Sequence, residues 1–217
     1  MLTWVAVLAA VGALALALRW ALRRTDGLGR PIAFPRYAVA GLALLSVVAA
    51  VPVIRHSRLE TRLSQVASRL VGHDVRVHCQ TAGEEFVDAG AELGYVRFDA
   101  GGRPEPRTVI KHAQCGLLRN YIGRHGRSPD RDEIIAVHVL THEAMHMRGL
   151  TNEAEAECAA MQRDASTAAL LGASAGDASA LARRYFAVYY ADVPDDYRSG
   201  ACTAGGQLDE KLANPPW

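Results

Sequence analysis

His142, Glu143 and His146 lie in the stretch VLTHEAMH, and Glu153 and Glu157 follow a few positions on in NEAEAECAA. Residues four apart on an α-helix share a face, so His142 and His146 can aim imidazole nitrogens at one divalent cation. Glu143 is turned about a hundred degrees from that pair. It cannot join them as a ligand, but it can hold a water beside the ion and accept its proton. Zn²⁺ suits such donors and brings the pKa of its water close to neutrality, where a carboxylate serves as base. Two imidazoles leave the site one ligand short. Glu153 and Glu157 are one turn apart and share a helical face, while Glu155 points elsewhere. One carboxylate of that face is a natural third ligand, and the other can hydrogen-bond a ligand imidazole.

Each of these residues also has a plainer reading. Glutamates at the start of a helix are favoured by its dipole alone. His138, one turn before His142 on the same face, either lines the cleft or is simply packed. A hydrolase needs a donor for the developing oxyanion; Tyr189, Tyr190, Tyr197, Arg198 and His112 are the candidates, each with a structural role as the alternative. RTVIKHA, residues 107–113, is a candidate edge strand along which an extended peptide would pair.

These residues must be placed by two helices. Ser128 or Asp130 caps the first, over Arg131–Arg148, with acids in its first turn and Gly149 as its stop. Asn152 caps the second, with Glu155 completing a capping box, and the pattern carries it to about Leu171. GDASALARRYFAVYYADV makes a third helix, and a Gly- and Pro-rich tail from Pro194 wraps the surface, held at Cys202. Upstream, VRVHC, LGYVRFD and RTVIKHA alternate as strands do and predict a small antiparallel sheet, followed by a short helix ending near Gly123.

The N-terminal quarter is different. Leu2–Leu18, extendable to Leu22, and Tyr37–Ile54 are apolar runs of the length that spans a bilayer. Nothing basic precedes Leu2, and RWALRR follows the first run, which argues for a retained helix over a cleaved signal peptide. Arg19, Arg23, Arg24, Arg30 and Arg36 in the connecting loop place it in the cytoplasm and both chain ends outside, although Arg55, Arg58, Arg62 and Arg69 after the second run oppose that assignment. Leu59, Leu63, Val66 and Leu70 then mark an amphipathic juxtamembrane helix that packs on the domain.

Cys79, Cys115, Cys158 and Cys202 all follow the second run. Four widely spaced cysteines suit an oxidising compartment and two disulfides of unreadable pairing; reduced buried thiols are the alternative. The first 54 residues hold five Arg and one Asp of the chain's 24 basic and 23 acidic residues, leaving 19 and 22 for the remainder. With that balance and no basic tract, nucleic-acid binding has no support.

HExxH followed by Glu153, Ala156, Glu157 and Cys158 resembles the gluzincin zinc metallopeptidases. The bacterial neutral zinc metallopeptidases in particular carry a similar acid–x–x–Ala–acid–Cys run. The resemblance covers about thirty residues and implies His142, His146 and Glu153 as ligands, Glu143 as base, and Glu157 as the supporting acid or fallback ligand. Two features depart from it. Only six residues separate His146 from Glu153, and Asn152 stands where a metzincin would place its third ligand.

The expected fold class is α+β: two transmembrane helices, about 2–22 and 37–54 of an anchor over 1–54, a juxtamembrane helix over 55–74, and over 75–217 a mainly helical zincin-like domain with a small antiparallel sheet. The expected function is a membrane-anchored, extracytoplasmic Zn²⁺ peptidase acting on peptide or protein substrates. The alternatives are a catalytically inactive metal-containing binding module at the membrane, or a disulfide-stabilised structural domain whose HExxH is accidental.

Overall fold

The computed structural model describes residues 2–217. Helices α1 (Leu2–Leu22) and α2 (Arg36–Val71) are long and apolar enough to cross a membrane. The chain divides into two compact units, one ending at Arg58 and one running Leu59–Trp217. In the first, Ala6, Ala9 and Ala13 are buried, Gly12 leaves room for Leu42, and Ser46 Oγ donates to the Ala6 carbonyl at 2.9 Å. Asp26 accepts from the Leu28 and Arg30 amides and so shapes the connecting loop.

α2 passes through Pro52 without ending, so the second apolar run and the amphipathic segment after it form one helix. Its polar second half contributes Leu59, Leu63 and Val66 to the core of the second unit, at 7%, 0% and 4% exposure. The spacing of those residues predicts this packed face.

The second unit continues β1 (Arg76–Cys79), α3 (Ala82–Val87), β2 (Gly94–Phe98), β3 (Pro104–Ile110), α4 (His112–Gly123), α5 (Arg131–Met147), α6 (Glu153–Met161), α7 (Asp164–Leu171) and α8 (Ala175–Arg184). A π-helical turn over Tyr185–Tyr189 and two short 3₁₀ turns close it. The sheet departs from the expected antiparallel one. Its order is β1-β3-β2, with β2 antiparallel to β3 and β1 parallel to it. The β2–β3 hairpin has two open edges; β1 takes the one on β3, and the connection through α3 delivers it in the parallel sense. RTVIKHA is therefore not an edge strand: β3 is bonded on both sides, and β2 is the edge beside α5.

The segment after Asn152 is also broken where continuous helix was expected. α6 ends at Met161 and α7 opens at Asp164, because Arg163 N–H turns to the Ala160 carbonyl at 2.8 Å in a tight turn. α8 likewise gives way to π-helical geometry at Tyr185. Two disulfides, Cys79–Cys115 and Cys158–Cys202, join β1 to α4 and α6 to the tail. Gln162, which donates to the Leu208 carbonyl and accepts from Glu210 N–H, and Arg163, which pairs with Glu210, hold the same tail on α6.

Candidate metal centre

α5 carries the two histidines, and its ends are both specified locally. Asp130, not Ser128, is the cap: it accepts from Glu133 N–H at 2.9 Å, and Glu133 reaches back to the Asp130 amide. At the other end Gly149 takes φ 111°, with Gly149 N–H on the His146 carbonyl and Leu150 N–H on the Met145 carbonyl. This is a Schellman stop. It has a second effect, since it delivers the Leu150 carbonyl to His146 Nδ1 at 2.7 Å. The turn is short enough for Asn152, which accepts from Glu155 N–H, to start α6 almost immediately. Six residues between His146 and Glu153 thereby suffice to fold one helix back on the other.

Three ligand-type atoms meet as a result. His142 Nε2 and His146 Nε2 are 3.0 Å apart, and each lies 3.1 Å from Glu153 Oε2. Three donors on a tetrahedral zinc would stand about 3.3 Å apart, so the triangle needs only a few tenths of an ångström of opening. The remaining ring nitrogens fix the tautomers. His146 Nδ1 faces a carbonyl oxygen and must donate to it; His142 Nδ1 donates to Glu157 Oε2 at 3.0 Å. Both Nε2 lone pairs then point at each other and at a carboxylate oxygen. Such an arrangement requires a cation among the three atoms, either a proton or a metal ion.

Electrostatics agree. Burial works against a charge on His142, but Glu153 and Glu157 outweigh it and raise its pKa to about 9. Burial and the His142 charge push His146 down. Hydrogen bonding from His142, against partial burial, lowers Glu153. One positive charge is thus shared in the triangle when no metal is bound.

Glu143 is 5% exposed and lies beside, not within, the triangle. Burial pushes its carboxyl up to about 7, against the pull of His142. Thr108 Oγ1, bonded to the Tyr95 carbonyl at 3.0 Å, is 3.5 Å from Glu143 Oε2. β2 approaches so closely that a Cβ on Gly94 would stand 3.1 Å from Glu143 Cγ and 3.2 Å from Val139 Cγ1. Beyond Glu143 opens a cleft of about 450 Å³, walled by Leu93, Ile135, Val139, Tyr189 and Val193 among others.

Glu157 is fully engaged elsewhere. Its Oε2 accepts from His138 and His142 at 2.8 and 3.0 Å, and its Oε1 accepts from Tyr185 O–H at 2.7 Å. Burial alone would raise its pKa; His138 and His142 outweigh that and hold it far below the usual carboxylate range. The geometry places Glu157 behind His142, with no oxygen turned to the triangle. Of the oxyanion candidates, Tyr197 is brought to the site, its ring stacked on His142 at 5.5 Å, and Tyr189 lines the cleft. Tyr190 bonds Ser199, Arg198 pairs with Asp195, and His112 Nδ1 faces the Gln80 carbonyl.

Sequence reasoning missed Thr108, Gly94, Asp164 and Tyr185 as parts of this region. Only His138 carried a signal, its spacing to His142. Comparison of the chain with protein-family models, with curated proteins and with solved structures gave no match.

Proposed function

We propose that the second unit is a zinc-dependent peptidase with a zincin-like architecture, tethered by α1 and α2 and exposed on the extracytoplasmic side of a membrane. The convergence of two imidazole nitrogens and one carboxylate oxygen, with a buried carboxylate alongside, is the observation that carries this reading. A His₂Glu donor set suits zinc over the oxygen-seeking cations. The arginines of the α1–α2 loop favour a cytoplasmic loop, and the disulfides Cys79–Cys115 and Cys158–Cys202 suit an oxidising space.

When bound, zinc supplies a Lewis acid for the scissile carbonyl and an acidified water. Glu143 would accept a proton from a water held beside the triangle and pass it to the leaving amine. In the metal-free domain burial holds this carboxyl up to about 7, and a cation bound beside it would draw it toward the ionised form that a base needs. Tyr197, a neutral phenol whose pKa is pushed up to about 12 by partial burial and nearby carboxylates, can donate to the developing oxyanion. The free edge of β2 supports an extended backbone.

Because Glu143 serves the leaving amine, the residue contributing that amine lies on the cleft side. The apolar walls there favour a bulky apolar side chain.

The test is metal analysis and hydrolysis by the full chain in detergent or nanodiscs. About one zinc per chain, and chelator-reversible cleavage of peptides before large apolar residues, are expected. A metal-free protein with no effect of chelator overturns the reading. Gly94→Ala is expected to retain zinc and lower kcat by about tenfold or more, since it displaces the base by a fraction of an ångström. Unchanged kcat in that variant would show that the close approach of β2 does not position Glu143.

A further inference from the structure

Next to the candidate ligands, and partly lining the same cleft, lies a layer of buried polar groups that the proposed hydrolysis does not use. His138 is 4% exposed and sits one turn before His142 on α5. Its Nδ1 is 2.9 Å from Asp164 Oδ2, and its Nε2 is 2.8 Å from Glu157 Oε2. Tyr185 stacks on the same ring, with centroids 3.7 Å apart and planes 15° from parallel, and its hydroxyl donates to Glu157 Oε1. Asp164, Glu157, His138 and Tyr185 come from four separate segments: α7, α6, α5 and the π-helical turn. The break between α6 and α7 and the π-helical turn are the local irregularities that bring Asp164 and Tyr185 here.

A ring with a carboxylate oxygen at each nitrogen donates through both. Burial raises the Asp164 carboxyl, while Glu157 adds a second negative charge on the other side of the His138 ring and favours the proton on the ring. Burial works against this, yet Glu157 and Asp164 raise His138 to about 10. The two donors on Glu157, His138 and Tyr185, hold its carboxylate in one place, and Glu157 Oε2 in turn receives His142 Nδ1–H.

We infer that His138 is a positioning residue which, bridged between Asp164 and Glu157 and covered by Tyr185, locks the Glu157 carboxylate onto His142 Nδ1 and so commits His142 Nε2 to the metal. The inference rests on the metal-site reading above. It extends the support of the metal two residues deeper than Glu157, along the line Asp164, His138, Glu157, His142. An alternative use of the same atoms is a second ion held by His138, His142 and Glu157, whose ligand atoms also lie within 4.8 Å of one another.

The experiment compares His138→Gln, Asp164→Asn, Glu157→Gln and the His138→Gln/Glu157→Gln double variant with the parent chain. Zinc affinity is measured by chelator competition, and the cobalt-substituted absorption spectrum reports coordination. Positioning predicts a 10- to 100-fold weaker zinc affinity in His138→Gln and Asp164→Asn with an unchanged cobalt spectrum. It also predicts that the double variant binds no more weakly than Glu157→Gln, since both changes break one chain. A twofold change or less overturns the inference, as does a cobalt spectrum whose bands shift to those of a different ligand set in His138→Gln, which would make His138 a ligand.

Thermal unfolding of the metal-free variants separates lost stability from lost affinity. A third readout needs no metal: long-range ¹H–¹⁵N NMR of metal-free protein at alkaline pH. Neutral His142 should carry its proton on Nδ1 in the parent chain and populate both tautomers in the variants; the same single tautomer in all would overturn the inference. Failure of the parent chain to bind zinc, by contrast, would count against the metal site while leaving this tautomer test decisive.

Discussion

Glu143→Gln is expected to keep about one zinc per chain and to lose roughly 10²- to 10⁴-fold in kcat, the range spanned by a positioned general base. Gln has the shape of Glu and cannot take a proton from water. Glu143 lies outside the triangle of His142, His146 and Glu153, so metal content should not move. The same change should also reveal what the base costs the fold. Burial raises the folded pKa of Glu143 from 4.5 to about 7. For an acid whose folded pKa is raised, the stabilising contribution is complete below pH 4.5 and is lost as pH climbs through 7. At pH 8 the ionised carboxylate therefore destabilises the metal-free domain by on the order of 3 kcal/mol, from 1.36 kcal/mol per unit. Metal-free Glu143→Gln should unfold at a higher temperature than the parent at pH 8 and at nearly the same temperature at pH 4. A variant that hydrolyses peptides at the parent rate would end the case for Glu143 as base; equal unfolding temperatures at both pH values would show that the carboxylate is solvated better than its burial suggests.

How much of this could be seen in the residues alone depended on the range of the interactions. His142, His146 and Glu143 were legible because the helical period of 3.6 fixes their relative directions within one turn. Glu153 and Glu157 were legible as a pair for the same reason, but not which of them would face the histidines. That choice is set by the Schellman turn at Gly149 and by Tyr185 and His138, which hold Glu157 back. Tyr185 is 28 residues from Glu157 and Asp164 is 26 from His138, and no periodicity reports contacts of that span. The alternation of VRVHC, LGYVRFD and RTVIKHA identified three strands. It could not order them, because side-chain alternation is identical in parallel and antiparallel pairing. The order follows from the β2–β3 hairpin and the path through α3. The cysteine count signalled two disulfides, and the pairing needed the fold. The tyrosines were visible as candidates, but only the seating of the tail on α6, through Cys202, Gln162 and Arg163, selected Tyr197.

Removing a ligand should act differently from removing the base. His146→Ala takes away a nitrogen that makes two of the three contacts in the triangle, and Glu153→Ala takes away the one charged donor. Both variants are expected to lose zinc to below about 0.1 per chain after dialysis against buffer, and with it all hydrolysis. The parent domain should gain about 2.7 kcal/mol of stability at a free zinc concentration 100 times its Kd, whereas these variants should gain none. Metal binding must also displace the proton that the three atoms share. His142 holds that proton up to about pH 9, so zinc binding at pH 7.5 should release close to one proton, and affinity should fall about tenfold per pH unit below 9. Calorimetry in two buffers of different ionisation enthalpy measures the release directly. His146→Ala should bind no zinc under these conditions and so show no zinc-linked proton release. Zinc-linked proton release that persisted in this variant would locate the metal elsewhere, and it would take the hydrolytic reading with it.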